Sequence, residues 1–335
     1  MYYNKTCITI YKPTKFEDFN ISDSNLKILK IFIENNKLNF IINGDTSTGK
    51  TSLINVIINK YYNLDNYTEK DKKNIIDNNI LTINILKDQG IQYYRNDVKN
   101  FCNSCSIIKD KKKILIIDSI DNINEQNQYV FKNYIEKYTN VNYIISCNDI
   151  KKIYESLLHK LEIIKLKPTN YDFLYKLFFK INENMKINLN KSEYDYLIHI
   201  SENSIPCLIN NMEKINLLNI KNVENKMEIL KNCTSIISEN NFKIYINLCR
   251  NNKVKEAYEC IKDIYNDKYS VIDILDNLIS YIKLSYDLDK EIKYKLLQIL
   301  IKHIDIFYNH NEDSIELLFI TKNIIDILNN KQYII

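Results

Sequence analysis

The sequence predicts an α/β domain with a five-stranded parallel sheet, then a small helical domain, then an all-helical C-terminal domain. Three observations carry this. Short apolar runs alternate with helical patterns through the first half of the chain. One of those runs leads through a glycine-containing loop straight into a helix. Beyond Pro168 no strand-like run recurs. The expected boundaries are 1–166 for the sheet domain, 167–232 for the small helical lid and 233–335 for the terminal domain.

The loop is Gly44-Asp45-Thr46-Ser47-Thr48-Gly49-Lys50-Thr51, followed by Ser52. The whole protein has three glycines, and two of them lie here. Glycine permits close backbone approach and left-handed backbone angles at little steric cost. The spacing G-x-x-x-x-G-K-[ST] between a strand and a helix is that of a phosphate-binding loop. Its backbone N–H groups and the helix N-terminus would face phosphate oxygens. Lys50 would reach the β- and γ-phosphates, and the Thr51 hydroxyl would hold Mg²⁺. The expected cofactors are therefore ATP and Mg²⁺.

The elements follow in order. An arm from Ile10 to Phe19 has no periodicity and carries three aromatics. It reads either as packing on the core or as a cover for a base. A helix from about Ser24 sets Leu26, Leu29, Phe32 and Ile33 on one face. The strand candidates are Asn39–Asn43, Leu81–Leu86, Ile114–Ile117, Asn142–Cys147 and Leu161–Leu166. Each is short, β-branched and apolar on both faces, as strands of a covered parallel sheet are. The third ends in Asp118, a carboxylate placed to hold Mg²⁺ at the carboxyl end of a strand. The fourth runs into Asn148, either a turn residue or one that orients an attacking water. Helical stripes follow at Phe173, Leu174, Leu177 and Phe178, then at Leu197, Ile198 and Ile200. Further on, Ser270-Val271-Ile272-Asp273 reads as an N-terminal helix cap. The stripe Ile274, Leu275, Leu278, Ile279, Ile282 behind it reads as core, or as a subunit interface.

Composition narrows the class without naming it. Charged residues make up 26% and hydrophobic ones 45%, as in an ordinary globular protein. Asn, Ile, Lys and Tyr dominate, and all have AT-rich codons, so surface Lys and Asn carry little weight alone. The net charge of +4 permits a nucleic-acid partner without requiring one. Of eight cysteines, only Cys102 and Cys105 form a C-x-x-C, expected on one helix face. With no second pair, a zinc site is not expected. No apolar run reaches the ~18 residues of a membrane span, and no leader is expected at Met1.

From about Tyr11 to Leu218, and more weakly onward, the chain resembles the small subunits of the replication factor C clamp loader, within the AAA+ ATPases. Tyr11-Lys12-Pro13 through Phe16-Glu17-Asp18 is similar to the family's arm beside adenine. Lys87-Asp88-Gln89-Gly90-Ile91, Arg95 and Val98-Lys99-Asn100-Phe101 resemble its Ser-Asp-Glu-Arg-Gly-Ile…Val-Lys-Asn-Phe segment. Glu136-Lys137-Tyr138-Thr139 resembles its Glu-x-Tyr-Ser. Asn148 matches the sensor 1 asparagine, and Asn210-Asn211-Met212-Glu213 the sensor 2 helix. The resemblance implies a AAA+ P-loop domain, a lid and a collar domain. It implies an arc of five subunits, a hetero-pentamer with other clamp-loader subunits. ATP would sit at subunit interfaces, with Tyr11 and Pro13 near the base. The assembly would open a ring-shaped sliding clamp and grip primer–template DNA. Arg95, Lys99 and Lys132 would then meet DNA phosphates, Arg95 and Lys99 at i,i+4 on one helical face. The implied location is intracellular: the nucleus, or a cytoplasmic replication factory for a viral protein.

Departures from the family fall on the hydrolytic parts. Asp118-Ser119-Ile120-Asp121 replaces Asp-Glu-Ala-Asp, so the water-activating glutamate is Ser119. General-base help, about 10²–10⁴-fold, is expected to be missing there. His159-Lys160-Leu161 replaces Ser-Arg-Cys, so Lys160 stands where a neighbour-directed arginine finger would be. The sensor 2 arginine position falls on Pro206, and Ser47 replaces a loop glycine. The expectation is an ATP-binding subunit with weak or partner-assisted hydrolysis. The alternatives are a non-hydrolysing structural subunit of the same assembly, or another AAA+ replication ATPase such as a helicase loader.

Overall fold

Period-two alternation along the strands decides the architecture. In β1 (Phe40–Asn43), Phe40 and Ile42 pack on one face of the sheet and Ile41 on the other. β3 (Lys113–Asp118) does the same with Ile114 and Ile116 against Leu115 and Ile117. In β4 (Val141–Cys147), Ile144 opposes Tyr143 and Ile145. Both faces therefore need cover, and helices supply it. α2 (Asp23–Glu34) and α3 (Lys50–Tyr62) close one side through Leu29, Leu53, Ile54 and Ile57. α5 (Ile91–Asn103) and α6 (Glu125–Lys137) close the other through Val98, Cys102 and Phe131.

These relations come from a computed structural model that describes residues 6–84, 91–187, 189–201, 203–218, 230, 237–285, 287–309 and 314–329. With β2 (Ile80–Asn84) and β5 (Glu162–Lys165), the sheet has five strands, all parallel, in the order β2-β3-β4-β1-β5. The connection leaving β1 runs toward β2 and the one leaving β4 runs toward β5. Between such diverging crossovers a crevice opens at the carboxyl ends of the strands. The loops after β1, β3 and β4 all end there.

All five strand expectations hold to within a residue or two, and the described part of β2 ends at Asn84. Two local readings change. The arm is not wholly irregular: Phe16–Asp18 forms a 3-10 turn, and α1 (Cys7–Ile10), one helical turn, leads into the arm, its Cys7 N–H donating to the Glu213 carboxylate at 3.2 and 3.3 Å. Cys102 is buried on α5, but Cys105 lies beyond the helix end and is exposed, so the two do not share a helical face. α4 (Glu69–Asn79), too polar for an apolar stripe, is set by its cap: the Thr68 hydroxyl accepts from Asp71 N–H.

Contacts group the chain into two compact units, Met1–Glu224 and Asn225–Ile335. The first holds the sheet and the helices α8 (Tyr171–Met185), α9 (Lys191–Ser201) and α10 (Ile205–Leu217). α7 (Glu155–Leu158) is a single turn before β5. The second unit is helical throughout its described residues. It holds α11 (Glu239–Arg250), α12 (Val254–Asn266), α13 (Val271–Leu284), α14 (Lys290–Asn309) and α15 (Ile315–Leu328). Ser270 and Asp273 form the expected cap, each satisfying the other's backbone N–H. Ile274, Leu275, Leu278 and Ile282 are core. No helix among the described residues is long and apolar enough to cross a membrane.

At the amino ends of the strands, buried polar groups are tied by Tyr61. Its hydroxyl accepts from Lys112 N–H at 2.8 Å and from Asn142 Nδ2 at 3.2 Å, while Asn142 Oδ1 accepts from Leu38 N–H at 3.1 Å. Removing that hydroxyl strands buried donors. Tyr61→Phe is expected to cost about 1–3 kcal/mol. Urea denaturation should show a lower midpoint at unchanged slope.

Candidate nucleotide-binding site

The loop after β1 has the backbone its residues require. Gly49 sits at φ 90, a left-handed angle, as the residue that opens α3. Gly44 lies so close to Leu166 that a Cβ there would approach its side chain to 3.1 Å. Ser47, which stands where the family has glycine, also adopts a left-handed angle, φ 65. A non-glycine residue pays about 1–2 kcal/mol for that. Thr48 steadies the turn by donating its hydroxyl to the Asp45 carbonyl at 2.8 Å. Asp45, Thr46, Ser47 and Thr48 line an open cavity of about 510 Å³ facing α9 and α10, with Asn203 and Ser204 opposite.

Lys50 points into the crevice rather than out. Its ammonium donates to Gly44 O and Asp45 O at 2.8 Å each and to Asn148 Oδ1 at 2.6 Å. It is buried, and burial pushes its pKa below the usual lysine value of 10.5, while Asp118, Asp121 and Asp45 nearby oppose the shift. Asn148 is held in turn, its carbonyl accepting from Asn43 Nδ2 at 3.3 Å. The structure therefore brings Lys50 and Asn148 together across the ends of β1 and β4.

The end of β3 completes the arrangement. Asp118 Oδ2 accepts from the Thr51 hydroxyl at 3.3 Å, and Asp118 Oδ1 accepts from the Ser146 hydroxyl. One carboxylate and one hydroxyl offer hard oxygen donors at hydrogen-bond separation. That donor set fits Mg²⁺, which binds through one or two carboxylates with substrate phosphates and water supplying the rest. No cluster of three or more His, Cys, Asp or Glu side chains suited to a metal exists among the described residues. Ser119 follows at φ 60, and its side chain offers no carboxylate. Asp121 Oδ2 accepts from Asp149 N–H at 3.4 Å, while its Oδ1 is buried with no hydrogen-bond partner among the described residues.

A second cavity, about 370 Å³, joins the arm to the loop and the lid. Tyr11, Pro13 and Phe19 line it from the arm, Gly49 from the loop, Ser52 from the first turn of α3 and Pro206 from α10. The arm's aromatics thus divide. Phe16 is buried core, Phe19 is buried yet borders the cavity, and Tyr11 borders it beside Pro13. Its walls are mostly apolar and lie beside the loop, which suits a planar base. Pro206 occupies the first turn of α10 and presents no cation there.

The remaining candidates lie apart from the crevice. Lys99 is exposed on α5; Arg95 is on the same helix, with its side chain outside the described residues, as is Gly90. Lys132 on α6 and Lys160 after α7 meet one carboxylate, Glu136, at 3.6 and 3.2 Å. The Lys160 hydrogen bond, with help from Lys132, holds Glu136 below the usual carboxylate range. Sequence reasoning named Glu136 only within a motif, without its pairing to Lys132 and Lys160, and it missed the role of Ser146. The i,i+4 spacing of Lys132 and Glu136 was a usable signal for the first. A lone serine in an apolar strand gave none for the second.

Residues 40–169 match the family described as ATPase family associated with various cellular activities, and residues 237–307 match the Replication factor C C-terminal domain. A putative replication factor C small subunit of Acanthamoeba polyphaga mimivirus is 26% identical over 292 residues, 87% of each chain. A probable replication factor C subunit 5 of Dictyostelium discoideum is 26% identical over 313 residues, 92% of this chain and 86% of that one. The replication factor C small subunit of Picrophilus torridus is 25% identical over 276 residues, 82% of each. Among solved structures, a Thermotoga maritima RuvB variant superposes with a TM-score of 0.51 at 14% identity, over 76% of this chain and 86% of that one. That likeness is one of fold alone.

A parallel sheet with a phosphate loop after β1 and a carboxylate after β3 defines a P-loop protein of the AAA class. The two family matches lie in chain order and together take in more than half of the residues. The chain is similar to replication factor C small subunits over most of its length, and it carries both the AAA match and the Replication factor C C-terminal match.

The loop geometry generates a direct test. Gly49→Ala would force a Cβ into the left-handed region and to 3.3 Å from the Phe19 ring. Thermal unfolding should show a loss of about 1–2 kcal/mol, and binding of a fluorescent ATP analogue should fall with it.

Proposed function

We propose that this chain is a clamp-loader subunit in DNA replication that binds ATP and hydrolyses it slowly. The observation that carries the reading is the order of parts in one chain. A phosphate-loop crevice comes first, then a helical lid, then a helical domain matching the Replication factor C C-terminal domain. Lys50 and Asn148 would meet the γ-phosphate, Thr51 and Asp118 would hold Mg²⁺, and Tyr11 and Pro13 would border the base. Metal bound there would screen phosphate charge; the chain's own work is to place the phosphates and align the oxygens around them.

Slow turnover follows from the side chains present. Ser119 has no basic oxygen to take a proton from water. Lys160 carries charge without the planar fork of arginine, and Glu136 already engages it. The partners are other subunits of a hetero-pentamer, a ring-shaped clamp and primer–template DNA. An exposed stripe on α14 supports assembly: Tyr294, Ile301 and Tyr308 stand seven residues apart, 75%, 60% and 75% exposed, opposite buried Leu296 and Leu300. A second reading, a subunit that holds nucleotide permanently or not at all, draws on Ser119, Lys160 and Pro206. Analysis of bound nucleotide separates the two: exchangeable ATP marks the switch, while trapped ADP or none marks the scaffold.

Two outcomes are expected. In a turnover assay the wild-type chain should hydrolyse ATP at least about 10²-fold more slowly than a relative that keeps the glutamate, with the residual rate lost in Lys50→Ala. A rate matching that relative would overturn slow hydrolysis. Reconstituted with its partner subunits, the chain carrying Arg95→Ala and Lys99→Ala should bind DNA more weakly. The salt slope of binding should drop by about 1 for each cation removed. An unchanged slope would remove these residues from the DNA surface.

A further inference from the structure

The β3–β4 ladder makes its last pair at Ile117 and Ile145. The next residues across it are Asp118 and Ser146, and there a side chain takes over. Ser146 is fully buried, in a strand whose neighbours are Ile145 and Cys147. Its hydroxyl oxygen accepts from Ser119 N–H at 2.9 Å, and its proton goes to Asp118 Oδ1. A hydroxyl has one proton to give. With the Ser119 N–H supplying the incoming bond, that proton is directed at Asp118. Both partners of Ser146 thus lie where β3 finishes: Asp118 ends the strand and Ser119 follows it.

We propose that Ser146 is a positioning residue for the metal-binding carboxylate, fixing Asp118 so that Oδ2 is the oxygen presented to the Thr51 hydroxyl and to Mg²⁺. The proposal rests on the reading of this crevice as a Mg²⁺–nucleotide site. A carboxylate at a strand end can rotate and offer either oxygen. The Ser146 bond occupies Oδ1 and leaves Oδ2 at 3.3 Å from Thr51 Oγ1. The same hydroxyl anchors Ser119 N–H, where the backbone leaves the strand at φ 60. Packing alone does not ask for a hydroxyl here, since alanine or cysteine would fill an apolar strand position without one. Groups that orient a metal's ligands are typically worth about 10–100-fold in metal affinity.

The test uses the full chain with Ser146→Ala, Ser146→Cys and Ser146→Thr. A fluorescent ATP analogue is titrated at equilibrium, once in EDTA and once across a Mg²⁺ series, with circular dichroism to show that each variant is folded. In the alanine and cysteine variants, either of which suffices, the Mg²⁺ concentration at half-effect should rise about 10–100-fold. Metal-free affinity should stay at the wild-type value, and threonine, which keeps the hydroxyl, should restore the Mg²⁺ response. An unchanged Mg²⁺ half-effect overturns the proposal. So does an equal loss with and without metal, the result of a purely structural role. If the wild-type chain binds no nucleotide under either condition, the nucleotide reading fails rather than the role of Ser146.

Discussion

The Lys50 ammonium is the contact on which the candidate site depends. A buried cation must find acceptors or lose its charge. Here it finds three, two loop carbonyls and the Asn148 amide oxygen. Those bonds draw the loop after β1 and the turn after β4 onto one point. They are possible because β1 and β4 are adjacent parallel strands, so their carboxyl ends finish at the same level. β3, next to β4, brings Asp118 to that level too. The order of strands in the sheet, fixed by apolar faces far from the crevice, is thus what assembles a charged cluster at its edge.

Much of this was legible in the sequence. Strands apolar on both faces could only lie in a sheet covered on both sides, and Phe40, Ile41 and Ile42 do divide between the two cores. The loop glycines marked the turn because so few others exist to blur the signal. The cap at Ser270 was readable because capping is a local exchange of hydrogen bonds between residues three apart. What was not legible depends on pairs distant in sequence. Glu213 engages Cys7 across 206 residues, and Ser146 meets Asp118 across 28. Each is an ordinary residue locally, and only the fold makes it a partner. Cys105 failed for the opposite reason: local spacing suggested a shared face, but the helix ends before it.

The substitutions at the hydrolytic positions also show a pattern. Ser47 and Ser119 both sit in left-handed backbone, at φ 65 and 60. Such angles cost a non-glycine residue about 1–2 kcal/mol, and they recur outside the site, at Lys186 and Lys268 for example. On the proposed reading, a phosphate cradle beside Ser119, which has no carboxylate, suits a nucleotide-dependent switch, because binding energy can change conformation without rapid bond cleavage.

Lys160 and Lys132 extend the argument beyond the crevice. Both are held by Glu136, one from the turn after α7 and one from α6. Neither pair is deeply buried, so each contributes modestly and is screened by salt. Their weakness is informative. A lysine needed by a neighbouring subunit's phosphates, or by a DNA backbone, must be released from any internal partner at small cost. A shared, half-exposed carboxylate meets that condition better than a buried one, from which removal of a single partner would cost several kcal/mol, about 3–5. Such a carboxylate orders the two cations while leaving them available, so under the proposed function any phosphate that reaches them would have to compete with Glu136.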